Sequence, residues 1–184
     1  MKITPMLSAF TAATLVLLPA CSDGETGEDV PVVENSSATL ATLVGDASEL
    51  STMSDLLSDA GLQGLFDGSV PYTLFAPTDD AFAQFDLPLE GDDLRAARVA
   101  VIREHIVPGY LTLEDITAAA EAAGGAVEMP TMGSGALTFT LDEGDVVISS
   151  ADGVEAHVDG TVMTGTNGSL FPVDAVLKSA DASD

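Results

Sequence analysis

The spacing of apolar residues changes period once along this chain, and that change limits the folds open to it. Leu137, Phe139 and Leu141 alternate with Thr138 and Thr140, the pattern of a strand with one buried face. Further short strands are predicted at 146–149, 154–158, 162–164 and 169–173. Turn residues at 142–145, Asp152-Gly153, Asp159-Gly160 and Asn167-Gly168 separate them. Upstream the spacing is helical. Residues 48–60 place Leu50, Met53, Leu56, Leu57 and Ala60 on one face, and Gly61 fits a C-terminal stop. Ser37 can cap an earlier helix running to Val44. Residues 92–106 carry Leu94, Ala97, Val101 and His105 in one stripe, broken by Pro108-Gly109. Thr112 with Asp115 makes a capping pair for a helix that Gly124-Gly125 closes. Between these lies a short buried strand at 72–76, ended by Pro77. Thr78 follows as an N-cap, with Asp79 and Asp80 in the first turn, where the helix dipole favours negative charge. Helices first and antiparallel strands after make an α+β domain rather than a βαβ repeat.

At 184 residues the chain has room for one ordinary domain. Its 30 acidic and five basic residues give a net charge of −25. Phosphate binding needs clustered Lys and Arg, so nucleic acid is excluded as a partner. Docking onto anionic headgroups through a polybasic patch is excluded on the same ground. Yet 46% of the residues are hydrophobic and only 19% charged, which is the composition of a chain that buries a core under an acidic skin.

The single cysteine has a telling position. Lys2 precedes an apolar run at 6–18, too short for the roughly 18–20 residues of a spanning helix. Leu18-Pro19-Ala20-Cys21 follows, and it resembles the bacterial lipoprotein cleavage site, Leu-x-Ala/Gly-Cys. Residues 1–20 are therefore expected to be a signal peptide, with diacylglycerol attached to Cys21 through a thioether. Residues 21–37, with Asp23, Glu25, Glu28, Asp29 and Glu34, read as a flexible acidic tether. The domain is expected over 38–180, and an acidic tail over 181–184. The expected location is the bacterial cell envelope, lipid-anchored. Ser22 does not resemble the inner-membrane retention signal, which favours the outer membrane or periplasmic face.

Three segments resemble the fasciclin domain family. Tyr72-Thr73-Leu74-Phe75-Ala76-Pro77-Thr78-Asp79-Asp80-Ala81-Phe82 matches its first signature, T-x-F-A-P-T-(N/D)-x-A-F. His105-Ile106-Val107-Pro108-Gly109 is similar to its central H-(V/I)-V-P-G turn. The segment Thr166-Asn167-Gly168-Ser169-Leu170-Phe171-Pro172-Val173-Asp174-Ala175-Val176-Leu177 resembles its closing N-G-x-(I/L)-H-x-(I/V)-D-x-V-L strand. The resemblance implies a compact wedge of about seven mainly antiparallel strands with several packed helices. It also implies adhesion or surface and matrix association, with no shared catalytic activity. Its matched positions offer His105, Asp79, Asn167 and Gly168 as interaction residues. Two departures stand out. Glu104 replaces a tyrosine that many animal members carry in an integrin-associated Tyr-His pair, and Phe171 replaces the closing histidine.

The residues themselves admit plainer readings. His105 can be a buried histidine bonded to a backbone group, or a contact for a ligand or partner. His157 falls on the solvent side of its strand. Asp79-Asp80 and Asp92-Asp93 fit helix capping. In Asn167-Gly168 a left-handed turn would join two strands. No G-x-S-x-G turn is present and no nucleophile setting is found, so no enzyme is expected. No cofactor or transition-metal site is expected. Calcium is the one weak alternative, at Asp142, Glu143 and Asp145 with Asp152 and Asp159, although none fits the D-x-(D/N)-x-(D/N)-G loop. The expected partners are the membrane, through Cys21, and an unidentified surface protein or polysaccharide. A binding protein for a small molecule or polysaccharide, with a deep groove, is the alternative function.

Overall fold

The computed structural model describes residues 32–85 and 94–178. The signal segment, Cys21, Asp92-Asp93 and the tail at 181–184 lie outside the described residues.

Each helix begins and ends where local chemistry dictates. The first, α1 (Leu40–Asp46), is capped by Thr39, whose side chain accepts from the Thr42 N–H. That is two residues later than the cap expected at Ser37. The neighbouring Ser36 hydroxyl instead accepts from the Ala38 N–H, and the Ala38 carbonyl is taken by the Thr166 N–H. A tight helical turn, Ser48–Leu50, leads into α2 (Ser51–Ala60), and Gly61 closes it at φ 71°, the left-handed conformation that glycine adopts without strain. Thr78 caps α3 (Asp79–Ala83). The fourth, α4 (Arg95–Glu104), ends before His105, so Ile106 starts a strand rather than ending the helix. Thr112 and Asp115 form the reciprocal capping box of α5 (Leu113–Ala122).

Nine strands form two sheets among the described residues. The first sheet holds β1 (Val33–Asn35), β2 (Tyr72–Pro77), β3 (Ile106–Pro108), β8 (Val162–Gly165) and β9 (Gly168–Val173), in the order β1-β8-β9-β2-β3. The second holds β4 (Ala126–Pro130), β5 (Ala136–Asp142), β6 (Asp145–Ser150) and β7 (Glu155–His157), in that order and antiparallel throughout. The fold is α+β, as expected, and mainly antiparallel, but β2 runs parallel to β9 and β1 parallel to β8. Three strands were not expected. β1 lies inside the predicted tether, so the ordered chain starts before residue 38. β3 and β4 carry too few alternating residues to show a period.

The central strands of the first sheet, β2 and β9, are buried on both faces. Leu74, Ala76 and Leu170 point toward Leu40, Leu57 and Ile102 of α1, α2 and α4. On the other face Phe75, Phe171 and Val173 meet Phe139 and Ile148 of the second sheet and Ile116 of α5. Such two-sided burial explains why β9 is buried along its whole length and apolar without alternation from Leu170 to Val173. Phe171, one of the two departures from the family pattern, stacks on its cross-strand neighbour Phe75 with ring centroids 5.1 Å apart. Phe75 in turn lies 5.2 Å from Phe139. The phenyl ring thus belongs to the core between the sheets.

The β8–β9 hairpin corrects one expectation. Its two-residue turn is Thr166-Asn167, and neither these residues nor Gly168 takes a positive φ. Gly168 is required for a different reason, close approach. A Cβ there would collide with the Tyr72 carbonyl oxygen and lie 3.1 Å from Leu40 Cδ2. Gly168→Ala is therefore expected to force β2 and β9 apart and to destabilise the domain by about 2 kcal/mol, with valine worse. The midpoint of urea unfolding measures this, and an unchanged midpoint would show that the strands yield freely.

Candidate functional site

Four positions were drawn from the family motifs, and the structure spreads them over the first sheet. Asn167 and Gly168 stand where β9 begins. Asp79 stands beyond the far end of the parallel strand β2, and His105 lies beside Phe75, whose N–H donates to the His105 carbonyl. They form no common cluster. Three of them are buried or partly buried keys that tie segments distant in sequence.

His105 is 1% exposed. Its Nε2 accepts the Leu177 N–H at 2.9 Å, and its Nδ1 lies 2.8 Å from the Val101 carbonyl. A ring nitrogen that accepts from an amide carries no proton, so the proton sits on Nδ1 and donates to Val101. Burial holds the pKa down at about 4, against the opposing pull of the Val101 carbonyl and the Glu104 charge. Both ring nitrogens are spent on backbone, so the plainer reading of this residue is the one the geometry supports.

Glu104, the other departure from the family pattern, turns out to be a second key. Its carboxylate accepts from the Ser134 N–H at 3.0 Å and the Ser134 hydroxyl at 3.2 Å. Thr131 Oγ1 donates to it at 2.8 Å and the Gly135 N–H at 3.2 Å. Burial raises its pKa, but these four bonds prevail and hold it below the ordinary carboxylate value. The loop closes this tightly because Gly133 and Gly135 lack side chains: a Cβ on Gly133 would overlap the carboxylate. Sequence reasoning missed this contact, and the Gly133-Ser134-Gly135 run is the single trace of it.

Asn167 is a third. Its Oδ1 accepts from the Leu40 N–H at 2.8 Å, and its Nδ2 donates to the Phe66 and Gly68 carbonyls at 2.6 and 2.7 Å. One amide thus joins α1, the loop after α2 and the β8–β9 turn. Asp79 is partly exposed and accepts from Ser51 Oγ at 2.6 Å and the Thr52 N–H at 2.8 Å. It caps α2 from a distance while sitting in the first turn of α3. Burial is the largest single influence and opposes its ionisation, but the bonds from Ser51 and Thr52 together outweigh it and hold its pKa below the ordinary aspartate value.

Beside Glu104 lies a recess of about 160 Å³, walled by Ser134, Leu137, Ser150 and Leu177 and edged by the Asp152–Lys178 ion pair at 3.0 Å. Sites for drug-sized ligands run to roughly 300–1,000 Å³. This recess is too small for the deep groove of the alternative reading. Among the described residues no three His, Cys, Asp or Glu side chains come together around one point. Asp142, Glu143 and Asp145 line a hairpin turn in which Glu143 and Gly144 both take positive φ, 54° and 109°. Asp152 faces Lys178 instead. His157 is exposed, as expected, and contacts Asp174 at 3.3 Å. No described helix is long and apolar enough to cross a membrane.

The site is thus a set of backbone staples on a helix-covered, mixed sheet, without a convergent catalytic or metal-binding constellation among the described residues. The fasciclin domain model matches residues 48–179, and the chain belongs to that family. It is 30% identical over 193 residues to Protein sll1483 of Synechocystis sp., an alignment that spans 96% of this chain and 98% of that protein. The fold is similar to a FAS1 domain pair from the insect cell adhesion molecule Fasciclin I. That likeness has a TM-score of 0.66 at 18% identity and covers 77% of this chain and 51% of the other. This chain spans about half the length of that pair.

The His105 geometry sets a pH dependence. The unfolded histidine titrates near 6.5 and the folded one at about 4, so between those values the unfolded state binds the extra proton. Stability is complete above pH 6.5 and falls as the pH drops toward 4, by up to about 1.4 kcal/mol per pH unit. Glu104, whose folded pKa is lowered, adds a further loss below its unfolded value of 4.5. Urea midpoints measured from pH 7 to 4 should decline more steeply for the native protein than for His105→Gln. Parallel curves would show that His105 is protonated equally in both states.

Proposed function

We propose that this protein is a lipid-anchored protein of the bacterial envelope whose fasciclin domain serves adhesion or association with a surface or matrix, without catalysis. Family membership carries the reading, because the fasciclin domain is known from cell adhesion proteins. The Leu18-Pro19-Ala20-Cys21 sequence supports the anchor: cleavage before Cys21 and thioether attachment of diacylglycerol leave the domain on a short acidic leash. One acyl chain holds a bilayer only marginally and two or more hold it stably, so a diacylglyceryl cysteine suffices. The internal use of His105, Glu104 and Asn167 supports an outer-surface mode of binding, since these polar groups are already satisfied within the domain.

Two measurements test the two halves of this proposal. Metabolic labelling with a palmitate analogue should mark the native protein and not Cys21→Ser, and an unlabelled native protein would refute the anchor. Deletion should impair surface attachment or cell–cell association while leaving growth on defined media unchanged. Normal attachment with a lost metabolic step would refute the adhesion role.

A further inference from the structure

The strand least expected from the sequence is also the least buried. All three residues of β1 are exposed, and Val32 and Val33, 62% and 44% exposed, present apolar side chains to water. β1 is held to β8 by backbone bonds. The Val162 N–H donates to the Val32 carbonyl at 2.7 Å, and the Ser36 N–H donates to the Thr164 carbonyl at 2.7 Å. Thr164 Oγ1 adds bonds to the Glu34 carbonyl and the Asn35 side chain. In a parallel ladder alternate residues face opposite sides. Val32, Glu34 and Ser36 therefore face β8, and the backbone N–H and C=O groups of Val33 and Asn35 face outward. No described strand pairs with that side. Natural edges are commonly blunted by lysine, a bulge or a cover, and the only charge on this one is Glu34.

We propose that the outer edge of β1 is a strand-addition site for an extended segment of a partner protein in which lysine or arginine alternates with β-branched apolar residues. Backbone bonds to Val33 and Asn35 supply the register, the apolar residues cover Val33 on one face, and the cations lie beside Glu34 on the other, their alkyl stems covering Val32. Charge selects the occupant. Two copies of this chain paired about Glu34 would set that carboxylate against itself between two molecules of charge −25, whereas a cationic strand gains from the same field. The proposal rests on the adhesion reading for its biological setting, but its test is independent of any attachment phenotype.

The probe is a labelled hexapeptide alternating lysine and valine, titrated into the purified protein and followed by anisotropy and by amide NMR shifts. Two control peptides replace lysine by glutamate, or valine by serine. Val33→Pro removes one outward N–H while leaving the bonds to β8 in place. The expected result is binding that shifts the Val33 and Asn35 amides and weakens at least tenfold in Val33→Pro, with both control peptides at least tenfold weaker. If Val33→Pro lowers the melting temperature, Val33→Lys, which keeps the strand and repels the cation, supplies the comparison. Equal binding of the lysine–serine peptide would overturn the proposal in favour of plain charge attraction. Undiminished binding to the variants, or shifts away from β1, would also overturn it. So would a concentration-dependent dimer, seen by sedimentation, that Val33→Lys abolishes, because the occupant would then be a second copy.

Discussion

The parallel pairing of β2 with β9 is the constraint on which the rest of the domain depends. The two strands run side by side from Tyr72 opposite Gly168 to Pro77 opposite Val173, and they sit at the centre of a sheet covered on both faces. A parallel pair separated by residues 78–167 costs loop entropy to close, so it persists only where burial on both faces repays it. Leu74 and Leu170 meet the helices, and Phe75 and Phe171 meet the second sheet. The three segments that resemble the fasciclin motifs are thereby explained together. They contribute β9, β2 and β3, three adjacent strands, so the motifs hold one side of the first sheet together.

The polar residues in those motifs serve the same centre. Asn167 fixes the start of β9 against α1 and the loop after α2. His105 fixes the end of α4 against the segment after β9. Glu104, one position earlier, fixes the β4–β5 loop. Each bonds backbone groups of a distant segment, and where those groups are buried, as at Leu40, Phe66 and Leu177, leaving them unpaired would cost roughly 1–3 kcal/mol apiece. A site made of such staples has little chemistry to offer a substrate.

The sequence was most legible where structure is local. The face of α2, its Gly61 stop, the Thr78 cap and the Thr112–Asp115 box each depend on residues within a turn or two, and each is present. Strands β5, β6 and β9 announced themselves by alternation or continuous apolar character. What was illegible depends on distant partners. β1 and β3 have three residues each, too few to show a period, and take their conformation from β8 and β2. Gly168 was identified for a left-handed turn, but the Tyr72 carbonyl, nearly a hundred residues away, is what excludes a side chain. Glu104 looked like a lost tyrosine because its loop partners lie some thirty residues downstream. Among the candidate site residues, type and burial were accessible for His105, whereas its bond to Leu177 was not.

Part of the acidic excess follows from local structure. Several carboxylates stand where the backbone wants them: Asp79 caps α2, Asp115 closes a capping box, and Asp142 and Asp145 flank a hairpin turn. Cations to pair with them are scarce, since the whole chain has five. Most of the negative charge is therefore answered by solvent and counterions, which screen it over about 8–10 Å at ordinary ionic strength. The core tolerates this because the charges lie outside the two apolar clusters, and Glu104, the carboxylate brought closest to them, is neutralised in effect by four hydrogen bonds rather than by a base. A net charge of this size disfavours close approach of like copies and favours approach of groups of opposite sign. On such a surface a short uncovered strand edge would favour a cationic strand over a second copy of the chain.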